Sequence, residues 1–412
     1  MITLYKNPSC IVTVDTKGKS YKRGKEMNNI FPLYDHSIVV EDGFIKDIIP
    51  SNSISKKYDE EIDLAEKIIL PGLVDCHTHT AFAGSRAEEF RLKLAGTDYE
   101  EIARMGGVIN TTVSSVREIT EDDFYKLVAP RIKYFISQGI TTLEIKSGYG
   151  LDFENEIKIL RVIKKLNDNF PIDIAATFLG AHTFPKEYKT KHNGYIDIIL
   201  NKMLPYISQN NLAEYCDVFC EKTAFNIFET EKIFDAAKHN NFKLKLHTDQ
   251  FNSLGGVGLA LKYKALSAEH LEVINEDDVK KLAESDTVAV LLPGVSFFLD
   301  YQYAPARTLI DSDAVVALSS DYNPGSSHIA NINLIMSLAA LKMKMSIEET
   351  ISAVTINAAK ALNRNQFAGS IEIGKHADFA VFDTDDYADI VYNIGKNLCT
   401  TTIKDGKIIY NN

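Results

Sequence analysis

Eight short apolar runs, each followed by a segment of different periodicity, set the narrowest limit on what this chain can fold into. The runs span residues 73–79, 140–146, 172–179, 215–221, 243–247, 265–270, 288–292 and 315–321. Strand-like runs that alternate with helical patterns are the signature of parallel βαβ units. One such pattern places Phe124, Leu127, Val128, Ile132 and Phe135 on a single helical face that ends at Gly139, and similar stripes run through 157–166 and 195–207. Eight units over roughly 250 residues predict an α/β fold, a TIM-like (β/α)8 barrel. An open, doubly wound sheet is the other arrangement these runs allow, because strand order is not written in a sequence.

The two ends of the chain repeat one pattern. An Asp42-Gly43 turn separates two strand-like stretches in 39–49, and Asp405-Gly406 does the same in 401–410. Asp-Gly between alternating apolar residues is a two-residue hairpin signal. We therefore expect residues 1–70 and 364–412 to build one small composite β domain, a β-sandwich, beside a barrel formed by 71–363.

Charge narrows the function. A formal net charge of −11 offers no broad basic surface, so nucleic acid is not expected as a partner, and an anionic ligand would need its own local cation. No apolar run approaches the length that spans a membrane, and Met1 to Cys10 lacks a signal-like apolar stretch. The five cysteines are scattered, which does not suggest a disulfide framework. A cytoplasmic protein is the expectation. Cys216 and Cys220, four apart, read as core-facing strand residues, with a metal clip as the alternative.

In a β/α barrel the chemistry sits where strands end, at the C-terminal face. Here strand one ends in His77-Thr78-His79, strand five in His247, strand six in His270 and strand eight in Asp321. Two histidines two apart on a strand point to the same side, so both can grip one metal ion. Three histidines and an aspartate form a common ligand set for zinc or iron, with a position left open for water. Any one of these residues alone has a plainer explanation; Asp321, for example, could be a helix N-cap. Their agreement across four strands favours a site.

At these residues the chain resembles the amidohydrolase superfamily and, within it, the imidazolonepropionase family. The broad features are PGLVDCHTHT at 71–80, His247, His270, Asp321 and GSIEIGKHADFAVFD at 369–383. The narrower ones are AFAGSRAEEF at 81–90, KSGYGL at 146–151, FLGAHTFP at 178–185, DVFCE at 217–221, LHTDQF at 246–251, SAEHL at 267–271 and SSDYNPGSS at 319–327. The resemblance implies one divalent or trivalent transition metal, zinc or iron, held by His77, His79, His247 and Asp321, with His270 and Asp321 catalytic. The absence of a lysine at the end of strand four agrees with a single ion. It also implies a small anionic cyclic substrate, 4-imidazolone-5-propanoate, hydrolysed to N-formimidoyl-L-glutamate, and a homodimer. Arg86 would hold the propionate, Tyr149 and His182 would touch the substrate, and Gln250 would hydrogen-bond its ring. Asn323, Gly325 and Ser326 would meet the propionate end. Some members carry a glutamate in place of Gln250 with a part in activating water; an amide cannot act as a base, so that part does not transfer.

The residue chemistry points the same way. Arg86 follows strand one in a loop of small residues, and a guanidinium binds a carboxylate through two parallel hydrogen bonds. Its plainer reading is a salt bridge to Glu88 or Glu89. Opening a cyclic amide at neutral pH needs an activated water, which a metal site can provide. In that scheme His270 stabilises or protonates the developing oxyanion while Asp321 carries the water proton to the leaving nitrogen. Tyr149 and His182 sit in glycine-flanked loops after strands two and three; packing and a loop hydrogen bond are their plainer roles. Two other functions compete. A deaminase of the same architecture would act on neutral nucleobases, with less need for Arg86, and a silent scaffold would lack the ligands that this chain retains.

Overall fold

A computed structural model of the chain describes residues 1–54, 57–96 and 109–412. Its centre is an eight-stranded parallel sheet in which sequence neighbours are also spatial neighbours. The strands are β1 (Leu73–Asp75), β2 (Ile140–Lys146), β3 (Asp173–Ala181), β4 (Tyr215–Cys220), β5 (Lys243–Thr248), β6 (Ser267–His270), β7 (Val288–Leu291) and β8 (Val316–Leu318). Helices between them cover the outside, and bonds between the segments that follow β8 and β1 close the sheet into a TIM-like (β/α)8 barrel.

Closure between β8 and β1 uses hydrogen bonds beyond the strands themselves. Asp321 N donates to His77 O at 3.0 Å and His79 N to Tyr322 O at 3.0 Å. Beneath them the buried Asp75 carboxylate accepts from Ser319 Oγ and, at 3.1 Å, from Ser320 N. These bonds pull both chains out of regular pairing early. His77, His79 and Asp321 were expected on strands, yet β1 stops at Asp75 and β8 at Leu318. The histidine pair therefore converges through an irregular segment and not through strand periodicity.

Local chemistry explains the helices. Glu121–Ile136 starts at Thr120, whose side chain accepts from Asp123 N, and buries Phe124, Val128, Ile132 and Phe135. Leu127, expected on that face, is 39% exposed, at the edge of the buried stripe. Phe153–Asn169 is capped by Asp152 and buries Ile157, Leu160, Ile163 and Leu166. The third stripe is helical from His192 to Gln209, interrupted by a wider π turn at Ile199–Met203.

Two further sheets lie beside the barrel. One pairs Ile2–Lys6, His36–Glu41, Phe44–Pro50 and Glu60–Asp63; the other joins Cys10–Val12, Pro32–Leu33 and Ile68–Pro71 to Phe379–Phe382, Cys399–Lys404 and Lys407–Asn411. Tyr5, Ile38, Val40 and Ile45 from the first share a core with Ile11, Ile69, Phe379 and Ile403 from the second. In both Asp-Gly turns each residue has positive φ, which aspartate tolerates and glycine favours, as a hairpin with the right strand twist requires. Cys216 and Cys220 are buried, free thiols. No helix among the described residues is long and apolar enough to cross a membrane.

Candidate active site

The floor of the site is a layer of charge inside the barrel. Glu144 and Lys146 of β2, Asp217 of β4, Lys245 of β5 and Glu269 of β6 are all fully buried. Alternation along a strand turns residues two apart to the same face, so Glu144 with Lys146, and Lys245 with His247, project inward together. Lys146 Nζ lies 2.8 Å from Asp217, 3.0 Å from Glu144 and 3.1 Å from Glu269. Lys245 Nζ bridges Glu144 and Glu269, each at 2.9 Å, and donates to Cys76 O. Burial opposes ionisation of Glu269, but Lys146 and Lys245 outweigh it and hold the acid well below the usual carboxylate range. Breaking one member of such a set would leave charge uncompensated in a dry interior.

The histidines stand on this floor. His77 Nδ1 is 2.7 Å from Glu269 Oε2, and His247 Nδ1 is 2.9 Å from Asp217 Oδ2. Carboxylates on the Nδ1 side fix the rings and turn each Nε2 toward the centre. There, His77 Nε2 and His79 Nε2 approach Asp321 Oδ1 at 3.3 and 3.4 Å, and His247 Nε2 lies 3.4 Å from His79 Nε2. Donors about 2.0–2.1 Å from one centre in a tetrahedral array stand about 3.3–3.4 Å apart, so these spacings match the edges of such a site. His77 Nε2 and Asp321 Oδ1 are buried without a hydrogen bond, as donors aimed at a cation would be. Two sets of donors here could hold a metal ion: His77, His79 and His247, and a second that joins His77 to His270 and Asp321.

The electrostatics agree. Burial disfavours a charged His77, but Glu269 overrides it and pushes the pKa up to about 9. For His247 burial prevails over Asp217 and lowers the value to about 3. The rings' centroids are 4.5 Å apart, and a charged His77 is itself one of the groups that oppose a charge on His247. Burial opposes a charged Asp321, but the nearby His77, His270 and His247 rings outweigh it and hold the carboxyl below its ordinary value. Its φ of +47°, like the +81° of His270, is costly for residues with a Cβ, the kind of strain that collects where geometry serves function. No helix follows Asp321 directly, so it is not an N-cap; the next helix, Ile332–Met343, is capped by Asn331.

Above this centre opens a cavity of about 200 Å³ whose walls include His79, His247, His270 and Asp321. Arg86, Tyr149, His182, Gln250, Asn323, Gly325 and Ser326 line it as well, so the structure gathers every expected contact residue. His77 lies underneath, out of the lining. Ile109, Phe219, Phe251 and Leu299 add apolar wall that the sequence reading did not single out.

Several of these residues also fill their plainer roles. Arg86 Nε donates to Glu89 at 2.8 Å, so the salt bridge exists; the rest of the guanidinium reaches the cavity. It passes so close to Gly325 that a Cβ there would lie 1.9 Å from Arg86 Nη1. His182 Nδ1 is 3.0 Å from Gly148 O, and burial lowers the pKa of its ring to about 4, so the ring is neutral. Tyr149 packs 5.5 Å from it, with burial pushing the phenol well above its usual range. Asn323 is largely spent on the loop: its Oδ1 accepts from Gly325 N and Ser326 N at 2.7 Å, and its Nδ2 donates to Asp321 Oδ2 at 3.0 Å.

Comparison with known proteins agrees with this geometry. A model of the amidohydrolase family matches residues 103–410. An imidazolonepropionase of Clostridium tetani is 44% identical over 411 residues, 99% of this chain and 98% of the relative. Another, of Alkaliphilus oremlandii, is 45% identical over 98% of this chain and 97% of its own length. Among solved structures, E. coli guanine deaminase superposes with a TM-score of 0.78 at 14% identity, covering 100% of this chain and 99% of that one. A zinc-bound adenosine deaminase from Xanthomonas campestris gives 0.73 at 16%, over 98% and 92% of the two chains. At such identities the structures speak for the fold alone.

Proposed function

This chain belongs to the amidohydrolase family and, within it, to the imidazolonepropionases, and from that premise we propose how its residues open the ring of 4-imidazolone-5-propanoate to give N-formimidoyl-L-glutamate. It is a metal-dependent hydrolase of cyclic carbon–nitrogen bonds. The observation that carries the site assignment is the convergence of His77, His79, His247 and Asp321 at 3.3–3.4 Å below a cavity entered by the Arg86 guanidinium.

One zinc or iron ion held by those four residues would supply the Lewis acidity that lets a water lose its proton near neutral pH. The remaining work belongs to side chains. Arg86 takes the propionate carboxylate through its fork, already oriented by Glu89. Tyr149 and the neutral His182 flank the ring, and Gln250 hydrogen-bonds it without acting as a base. His270 donates to the carbonyl oxygen as negative charge grows there. Asp321 moves the water proton to the departing ring nitrogen through Oδ2, which Asn323 Nδ2 steadies while leaving it a free lone pair. Five free buried thiols suit a cytoplasmic setting.

Loss of imidazolone absorbance with metal-replete protein tests the reaction. Turnover that stops on chelation and returns with metal is expected. A stoichiometrically metallated protein that leaves the imidazolone intact, or that releases ammonia from guanine or cytosine, would overturn it. For the proton path, Asp321→Asn with metal still bound should lose nearly all turnover; near-normal turnover would remove Asp321 from that role.

A further inference from the structure

Glu272 is a buried acid that the scheme above leaves idle. It stands two residues past His270, where the chain leaves β6 through two left-handed residues, His270 and Leu271 (φ +81° and +69°). It is 4% exposed, and neither carboxylate oxygen accepts a hydrogen bond. Its backbone carbonyl is anchored by Gln302 Nε2 at 2.8 Å, so the residue is held in place while its side chain is unspent. A carboxylate stripped of water and left unpaired is costly. Among the described residues its one ion-pair neighbour is His270, whose Nδ1 lies 3.5 Å from Oε1 and is itself buried without a hydrogen bond.

The site contains the same relation twice more. Glu269 sits on Nδ1 of His77 and Asp217 on Nδ1 of His247, at 2.7 and 2.9 Å. Each acid takes the Nδ1 side and leaves Nε2 free for the centre. His270 has an acid on that same side, at a separation one small side-chain rotation would close to about 2.7–2.9 Å.

We propose that Glu272 is a positioning residue for His270, accepting a hydrogen bond from Nδ1–H so that Nε2 is held toward the reacting carbonyl. Nδ1 keeps its hydrogen in both the neutral and the charged ring, so only Nε2 exchanges protons with substrate. The proposal rests on the assignment of His270 to the substrate made above.

Two measurements test it on the metal-loaded full chain. In histidine-¹⁵N-labelled protein, two-bond ¹H–¹⁵N spectra should show His270, identified by its loss in His270→Asn, protonated at Nδ1; Glu272→Leu should shift it toward the Nε2-protonated form. An unchanged tautomer would overturn the proposal whether or not imidazolone is turned over. In kinetics, the isosteric Glu272→Gln should lower kcat about ten- to a hundredfold, with KM within about twofold and metal content unchanged. Added to His270→Asn it should cost nothing further, because it acts through that ring. A kcat within about twofold of the parent, or effects that multiply, would overturn it. If the tautomer shifts while the parent never consumes imidazolone, the substrate assignment fails and the pairing stands.

Discussion

The two ends of the cavity are built on different principles. At the histidine end, rings are backed by buried acids, and those acids are locked by Lys146 and Lys245 in the barrel interior. At the Arg86 end the cation rides on a loop, with one glutamate to steady it and a glycine opposite to make room. The contrast separates two jobs. Bond-breaking geometry is fixed where strands converge on buried ion pairs; recognition of the substrate's charge is hung on loops, where a change of residue alters fit without disturbing the ion-pair floor.

If that division is right, damage at the two ends should look different. His247→Ala should release the metal, read by elemental analysis, and lower kcat/KM by about ten-thousandfold, with melting cooperative as before. Lys146→Met strikes the floor: Glu144 and Glu269 would share the one ammonium of Lys245, Asp217 would keep only His247, and urea unfolding should show a loss of about 3–5 kcal/mol together with weaker metal retention. Arg86→Met at the opposite end should raise KM by about ten- to a hundredfold while leaving metal content and stability unchanged. Loss of metal from that variant would break the comparison. Gly325→Ala should do the same more mildly, about tenfold in KM, because the new methyl displaces Arg86 without removing its charge.

The smallest expected effect is one of pH. In metal-free protein burial holds His182 near 4 and His247 near 3, below the ordinary value of 6.5. The unfolded chain therefore takes up protons below about 6.5 that the folded chain refuses until about 4. Stability from this source is complete above 6.5 and is lost as pH falls through that window. Melting temperatures of the metal-free protein should decline over it, and His182→Asn should flatten the decline; a flat profile in the parent would mean the rings are not held neutral.

Much of this was legible because metal chemistry demands particular residue types. His77, His79, His247, His270 and Asp321 each end an apolar run, and few other roles ask for that combination at four strand ends. The ion-pair floor went unread although Glu144, Lys146, Asp217, Lys245 and Glu269 lie inside the same strand-like runs. Charges at alternate positions within strands, as in Leu143-Glu144-Ile145-Lys146, were the signal; taken singly each looks like a solvent-facing residue, and only a closed barrel makes that face interior. The early ends of β1 and β8 were hidden for a similar reason, since they depend on bonds between segments some 240 residues apart.

The sequence alone determined the number of βα units, the residue types at their ends and the charge that Arg86 offers an anionic substrate, because periodicity and side-chain chemistry are local properties. Tertiary structure decided which nitrogen each imidazole turns inward, which acids back those rings and which acid faces His270. Those outcomes depend on distances of a few ångströms between strands remote in the chain, and barrel closure is what sets such distances.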